Sequence, residues 1–160
     1  NNVCYNNERF QLLFVGRGHR NVNVRQKHHI TGNVLYAASK GQNTFYFDER
    51  NHYGLMKDNY FCKPSSDTLI HEAKSWPGMG PHQHFSLKDW QSRYEWADTT
   101  PKTDIRKLKK GEEDLSRIFI NETEYRKTIQ LDGEWMDLDG EPAGGAITLE
   151  PYSSRILTRR

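Results

Sequence analysis

The feature that most constrains the fold of this chain is a repeat of short β-prone segments, each opened by an asparagine. The segments are residues 2–5, 33–36 and 59–62, so equivalent asparagines lie 31 and then 26 residues apart. A second β-prone segment follows each of them, at 11–15, 44–47 and 68–71. A third kind precedes the second and third asparagines, at 29–32 and 55–58. Each repeat therefore holds up to three short strands separated by polar turns.

Repeats of this length without helical periodicity are typical of the coils of a parallel β-solenoid. In such a coil each strand pairs with its equivalent one coil away, at about 4.8 Å. We therefore expect two columns of stacked residues, formed by Asn2, Asn33 and Asn59 and by Leu12, Phe45 and Leu69. The alternative is an antiparallel sandwich in which the three asparagine segments are unrelated.

Several segments resemble right-handed parallel β-helix proteins of the pectate-lyase-like superfamily. Residues 2–7 and 30–36 look like coils of that helix, and residues 85–91 (Phe-Ser-Leu-Lys-Asp-Trp-Gln) resemble a segment that follows the last coils in many bacterial members. Residues 135–140 and 147–157 resemble their C-terminal ending, whereas residues 94–100 depart from the usual pattern. The resemblance implies an all-β fold, with right-handed parallel β-helix coils followed by a short helix and a small antiparallel β module.

The segments suggest three regions along the chain. We expect the last coils of the β-helix in 1–84, a short helix with a charged connector in 85–116, and the antiparallel module in 117–160. Ser86 followed by Asp89 is similar to a capping box and predicts where the helix begins. Because so small a module buries only a modest core, we expect Trp135 to be buried and to dominate it. The first coil has no cap before it, so we expect the chain to be the C-terminal portion of a longer protein.

Composition narrows the possible partners. Residues are 34% hydrophobic and 12% aromatic, and the formal net charge is +2, which favours a folded domain and argues against nucleic acid as a partner. No apolar stretch is long enough to span a membrane, so we expect no membrane partner, and we expect a monomer. Cys4 and Cys62 lie two coils apart in the proposed register, which predicts two free thiols.

The family resemblance implies action on a polysaccharide, by β-elimination from uronic acids or by glycoside hydrolysis, with the catalytic coils largely upstream. It also implies a secreted, periplasmic or cell-surface location. We expect no cofactor within this segment, although Ca²⁺ is possible in the full-length parent. A non-catalytic β-helix that binds glycans or serves as an adhesin is the alternative.

The densest group of candidate catalytic residues follows one of the predicted strands. Asp48, Glu49, Arg50 and His52 together offer two carboxylates, a guanidinium and an imidazole, the groups that elimination or hydrolysis needs. The competing interpretation is an ordinary solvated turn.

Three other residues are candidates for substrate binding. His28 and His29 come directly before a predicted strand, and Trp76 stands beside a Pro/Gly-rich loop, where its ring could stack on a sugar. His82 and His84 have the spacing of two metal ligands on a strand, but the sequence identifies no third ligand. We therefore predict no metal site.

Overall fold

The computed structural model describes residues 2–14, 28–48, 54–73, 82–103 and 106–159. Within these ranges the structure is mostly β with one short helix, so the prediction of an all-β fold is confirmed. The sheets are small and mixed in strand direction. The chain divides into two compact units, Asn1–Thr103 (unit 1) and Asp104–Arg160 (unit 2).

In its described residues, unit 1 contains short strands and one helix. In chain order they are β1 (Val3–Tyr5), β2 (Phe10–Phe14), β3 (His28–Thr31), β4 (Val34–Tyr36), β5 (Asn43–Asp48), β6 (Gly54–Lys57), β7 (Tyr60–Cys62), β8 (Ile70–Ala73), β9 (Gln83–Phe85), α1 (Leu87–Arg93) and β10 (Lys102–Thr103).

The repeated segments pair in parallel, each with its equivalent in the next repeat. One sheet has the strand order β1-β4-β7-β10, a second begins β2-β5-β8, and a third consists of β3 and β6. Strand β9 closes the second sheet by pairing antiparallel to β8. The antiparallel sandwich is therefore wrong for the repeated strands.

The predicted asparagine column is confirmed, and it forms a continuous chain of hydrogen bonds. The Nδ2 of Asn2 donates to Oδ1 of Asn33 (3.0 Å), and the Nδ2 of Asn33 donates to Oδ1 of Asn59 (2.8 Å). The backbone N–H groups of Asn2 and Asn33 donate to the same two oxygens. We call these three residues the asparagine ladder.

The asparagine ladder ends on a carboxylate. Both the Nδ2 and the backbone N–H of Asn59 donate to Oδ2 of Asp98, at 2.6 and 2.9 Å. An ionised carboxylate accepts hydrogen bonds but donates none, so Asp98 completes the ladder without offering a donor to a further member.

The second predicted column is wrong by one residue. The register aligns Leu12 with Phe45 and Phe45 with Ile70, so Ile70 takes the place expected for Leu69. Both Leu69 and Ile70 are buried. Leu69 is the last residue before β8, and Ile70 is the first residue of that strand. Because these two neighbouring residues are both apolar, the sequence pattern could not decide which of them aligns with Phe45.

The core of unit 1 lies on the inner faces of these sheets. Its fully buried side chains include Phe45, Phe47, Phe61, Ile70 and Trp90. The ring of Trp90 meets the rings of Phe45 and Phe61 edge-on, at centroid distances of 5.7 and 5.8 Å. Helix α1 thereby covers the inner faces of the sheets with its apolar side.

Helix α1 begins where the sequence predicts. The Ser86 hydroxyl accepts a hydrogen bond from the Asp89 backbone N–H (3.2 Å) and donates one to the Asp89 carboxylate (2.6 Å). This local pair satisfies a backbone donor that would otherwise be left unpaired at the helix start.

Both cysteines are free thiols, as predicted. Cys4 aligns with Leu35, which aligns with Phe61, so Cys62 falls one position further along its strand. Burial raises the pKa of the Cys4 thiol, which keeps that thiol protonated at neutral pH.

Unit 2 is built from antiparallel strands. They are β11 (Ser116–Asn121), β12 (Lys127–Gln130), β13 (Trp135–Met136), β14 (Ala146–Leu149) and β15 (Ser153–Arg159). Strand β15 pairs with β11 and β13, and β12 pairs with β14. An Asp-Gly dipeptide between two β-prone segments favours a hairpin, but β12 and β13, which flank Asp132-Gly133, do not pair with each other.

A second core fills unit 2 and is centred on Trp135. The side chain is 6% exposed, and its ring meets the ring of Phe119 edge-on at 5.6 Å. Ile147, Leu149 and Leu157 complete this core. The prediction that Trp135 is buried is therefore confirmed.

Candidate functional site

The outward face of the sheet formed by β2, β5, β8 and β9 carries a row of rings. Side chains alternate between the two faces of a strand, and Phe45, Phe47, Ile70 and Glu72 are fully buried on the inner face. Tyr46 and His71, which alternate with them, therefore point outward. We call the row formed by Phe10, Tyr46, His71 and His84 the outward ring row.

The rings of this row are in contact from strand to strand. Phe10 lies 4.3 Å from Tyr46, Tyr46 lies 4.8 Å from His71, and His71 lies 4.3 Å from His84, measured between ring centroids. The register places Tyr46, His71 and His84 directly opposite one another. The rings are half-buried or exposed, so the row forms a strip of ring surface open to solvent.

Two cations flank the outward ring row. The Arg9 guanidinium lies over the Phe10 ring, 5.5 Å from its centroid. The Lys63 ammonium donates to Oδ1 of Asn43 (3.4 Å), and Lys63 interacts electrostatically with both His71 and His84. Burial lowers the pKa of Lys63.

The surroundings of the row lower the pKa of both of its histidines. Burial, together with the positive charge of His84, His82, Arg9 and Lys63, lowers the pKa of His71 to about 4. Burial and the nearby cations likewise lower the pKa of His84. Near pH 7 the His71 imidazole therefore contributes ring surface and neutral hydrogen-bonding groups, and the Arg9 guanidinium contributes positive charge.

Acidification should destabilise the chain through His71. The folded pKa lies below the ordinary value of 6.5, so the stability it contributes is present above pH 6.5 and is lost as the pH falls towards 4. Allowing for the partial exposure of the ring, we expect about 1–2 kcal/mol from this group. The free energy of unfolding, measured by urea denaturation across this pH range, should fall less on acidification for His71→Gln than for the unaltered chain. His29→Gln changes an exposed position on β3 and should leave the pH dependence of unfolding as it is in the unaltered chain. The same pH dependence in all three chains would contradict the role of His71.

The predicted catalytic group is only partly within the described residues. Asp48 is the last residue of β5 and aligns with Ala73 on β8. Glu49, Arg50 and His52 lie outside the described residues. Their role as a catalytic group stays a prediction.

Two of the three predicted substrate-binding residues lie within the described residues. His28 and His29 lie on β3, opposite Gly54 and Leu55 of β6, and thus belong to a different sheet from the outward ring row. The His28 ring stacks on Phe14 at 5.6 Å, while His29 is exposed. Trp76 lies outside the described residues.

His82 and His84 approach a third histidine that sequence spacing did not identify. The ring of His71 lies 5.3 Å from that of His82 and 4.3 Å from that of His84. Within the described ranges, however, no group of three or more His, Cys, Asp or Glu side chains is arranged to hold a metal ion. The rings of His71 and His84 belong to the outward ring row.

Sequence reasoning missed Phe10, Tyr46, His71 and Lys63 as site residues. The signal was present in the register: Tyr46 and His71 each follow an inward apolar residue of equivalent strands, so parallel pairing must place them side by side on the other face. Lys63 left no such signal, because it lies beyond the end of β7 and its position depends on the turn that follows.

No protein-family model, curated protein or solved structure matches this chain. Among the residues that the structure describes, no helix has the length and apolar character needed to cross a membrane.

Proposed function

We propose that unit 1 consists of coils of a right-handed parallel β-helix, and that the chain is the C-terminal portion of a secreted carbohydrate-active protein whose outward ring row binds an acidic polysaccharide. The parallel pairing of equivalent strands and the asparagine ladder support the coil assignment. The resemblance of residues 2–7 and 30–36 to coils of pectate-lyase-like proteins supports the carbohydrate assignment.

The outward ring row carries the functional proposal. A sugar ring has an apolar face that packs on aromatic side chains, and its hydroxyls bond to neutral polar groups such as imidazole nitrogens. The row runs across successive strands, so it is elongated, as a polymer requires. The Arg9 guanidinium at its margin would neutralise a carboxylate of a uronic acid polymer, whereas Lys63 is buried beneath the row.

Binding rather than catalysis is the activity that the described residues support. The Nε2 of His71 is buried and has no hydrogen-bond partner in the described structure, so it is not exposed to abstract a proton from a substrate. The residues predicted for catalysis lie largely outside the described ranges. Turnover, if the full-length parent has it, would be detected as unsaturated uronate products or new reducing ends.

Titration with polygalacturonate and with uncharged dextran tests the proposal. We expect saturable binding of polygalacturonate alone, weakened by added salt. Tyr46→Ala should weaken it roughly tenfold, because one aromatic contact contributes about 1–1.5 kcal/mol. Arg9→Gln should weaken binding and reduce its dependence on salt.

The matched control is Leu55→Ala, which removes an exposed apolar side chain from β6, in another sheet. It should leave polygalacturonate affinity unchanged. Equal affinity for dextran and polygalacturonate, or equal losses in Tyr46→Ala and Leu55→Ala, would count against this face as the binding site.

A further inference from the structure

Unit 2 contains a depression of about 440 Å³, within the range of small-molecule sites. It is lined by Gly133, Glu134, Trp135, Met136, Gly140, Pro142, Gly144 and Gly145. It lies in a different unit from the outward ring row and was not identified by any sequence motif.

The wall of this depression is held in place by several contacts to Trp135. The indole Nε1 donates to the Asp132 carbonyl (3.2 Å), and the Trp135 carbonyl accepts from the Ala143 N–H (2.8 Å). The Arg159 guanidinium lies over the indole, 5.6 Å from its centroid. Met136 also forms a β-bridge with Pro142. These contacts join both sides of the depression, so it is formed before any ligand arrives.

Gly145 has no conformational or packing requirement for glycine. Its φ is not in the positive range, and a Cβ at this position would meet no atom within 4 Å. Gly144 also faces open space, although its φ of +73° favours glycine. Gly145 therefore lines the depression at a position where the fold does not require glycine.

Of the described residues that line the depression, Glu134 alone has an ionisable side chain. Its carboxylate would accept hydrogen bonds from hydroxyl groups and would repel another carboxylate. Met136, Pro142 and the exposed part of Trp135 offer apolar contact, and glycine backbones allow close approach.

From this combination we propose that the depression binds one uncharged pyranose unit, with its apolar face on Met136 and Pro142 and its hydroxyls donating to Glu134. Its charge preference is opposite to that proposed for the outward ring row, on which this inference does not depend.

Titration of the isotopically labelled full chain with methyl β-glucoside and methyl β-glucuronide, followed by amide chemical shifts in NMR, tests the proposal. We expect saturable shifts at Gly144 and Gly145 with the glucoside, at a Kd of roughly millimolar, and at least tenfold weaker binding of the glucuronide. Glu134→Gln should weaken glucoside binding several-fold and reduce discrimination against the glucuronide.

Gly145→Leu should fill the depression and abolish glucoside binding while leaving the melting temperature unchanged. Gly41→Leu is the matched control, since Gly41 in unit 1 also faces open space and has no positive φ. This variant should bind methyl β-glucoside as tightly as the unaltered chain. Absence of saturable shifts with either sugar, retained binding in Gly145→Leu, or a preference for the glucuronide would each overturn the proposal. Because every readout lies in unit 2, failure here leaves polygalacturonate binding by unit 1 a separate question.

Discussion

Asn59→Ala should be among the most destabilising single substitutions in unit 1, with a loss of about 3–5 kcal/mol. The Asn59 side chain is fully buried, and its amide donates to the Ile30 carbonyl (2.7 Å) and to Asp98 (2.6 Å) while accepting from Asn33. Alanine would leave a buried carboxylate, a buried amide and a carbonyl without these partners, and unpaired buried groups are costly. Chemical denaturation followed by circular dichroism would measure the loss.

Two variants make this expectation specific to the interior of the asparagine ladder. Asn2→Ala removes the exposed end member and should lose at most about 1 kcal/mol. Asp98→Asn keeps one oxygen as an acceptor but replaces the other, which accepts from the Thr100 N–H (3.0 Å), so it should fall between the two alanine variants. Similar losses at Asn2 and Asn59 would show that the ladder contributes little beyond local packing.

The parallel pairing was predictable because the signal was redundant. Three asparagines with a β-prone segment behind each one specify both which strands are equivalent and how they align. The structure pairs them residue for residue, Val3 with Val34 and Val34 with Tyr60. A polar residue that must be buried for its hydrogen bonds to form constrains register more strongly than interchangeable apolar residues do. Leu69 and Ile70 illustrate the weaker case.

Polarity did not predict which side chains of β5 and β8 lie on the inner face of the sheet. Glu72 is fully buried on the inner face, whereas Tyr46 and His71 lie on the outer one. A rule that places charge outside and aromatic rings inside would reverse these positions. The alternation is determined by Phe45, Phe47 and Ile70, and Glu72 has to follow it. Burial, reinforced by the Glu72 carboxylate, raises the pKa of the neighbouring Tyr94 to about 12, against the opposing effect of Arg93.

The candidate site was missed because its residues are far apart along the chain. Sequence reasoning favoured dense local groups, such as residues 48–52, because chemistry at adjacent positions is visible along the chain. The outward ring row is assembled from Phe10, Tyr46, His71 and His84, which are brought together only by strand pairing. Residues that are distant in sequence become candidates only after the register is known.

Trp135→Ala should unfold unit 2 at a lower temperature than unit 1, with a loss of about 3–5 kcal/mol in the stability of unit 2. The ring is 6% exposed and contacts Phe119, and it is the largest side chain in a core that otherwise consists of Phe119 and a few aliphatic residues. Its removal also takes away the indole N–H that donates to the Asp132 carbonyl and the surface on which Arg159 lies. A core this small has little capacity to close around the cavity that would remain.

Native-state hydrogen exchange would locate the effect of Trp135→Ala. Protection should fall for strands β11 to β15 and persist for β4, β5 and β7, because the cores of the two units are formed by separate sets of side chains. Tyr125→Ala is the control, since Tyr125 is an aromatic residue of the same unit that is 71% exposed, and it should change stability by less than about 0.5 kcal/mol. If Trp135→Ala behaved like Tyr125→Ala, or if protection fell equally in both units, Trp135 could not be the residue on which the core of unit 2 depends.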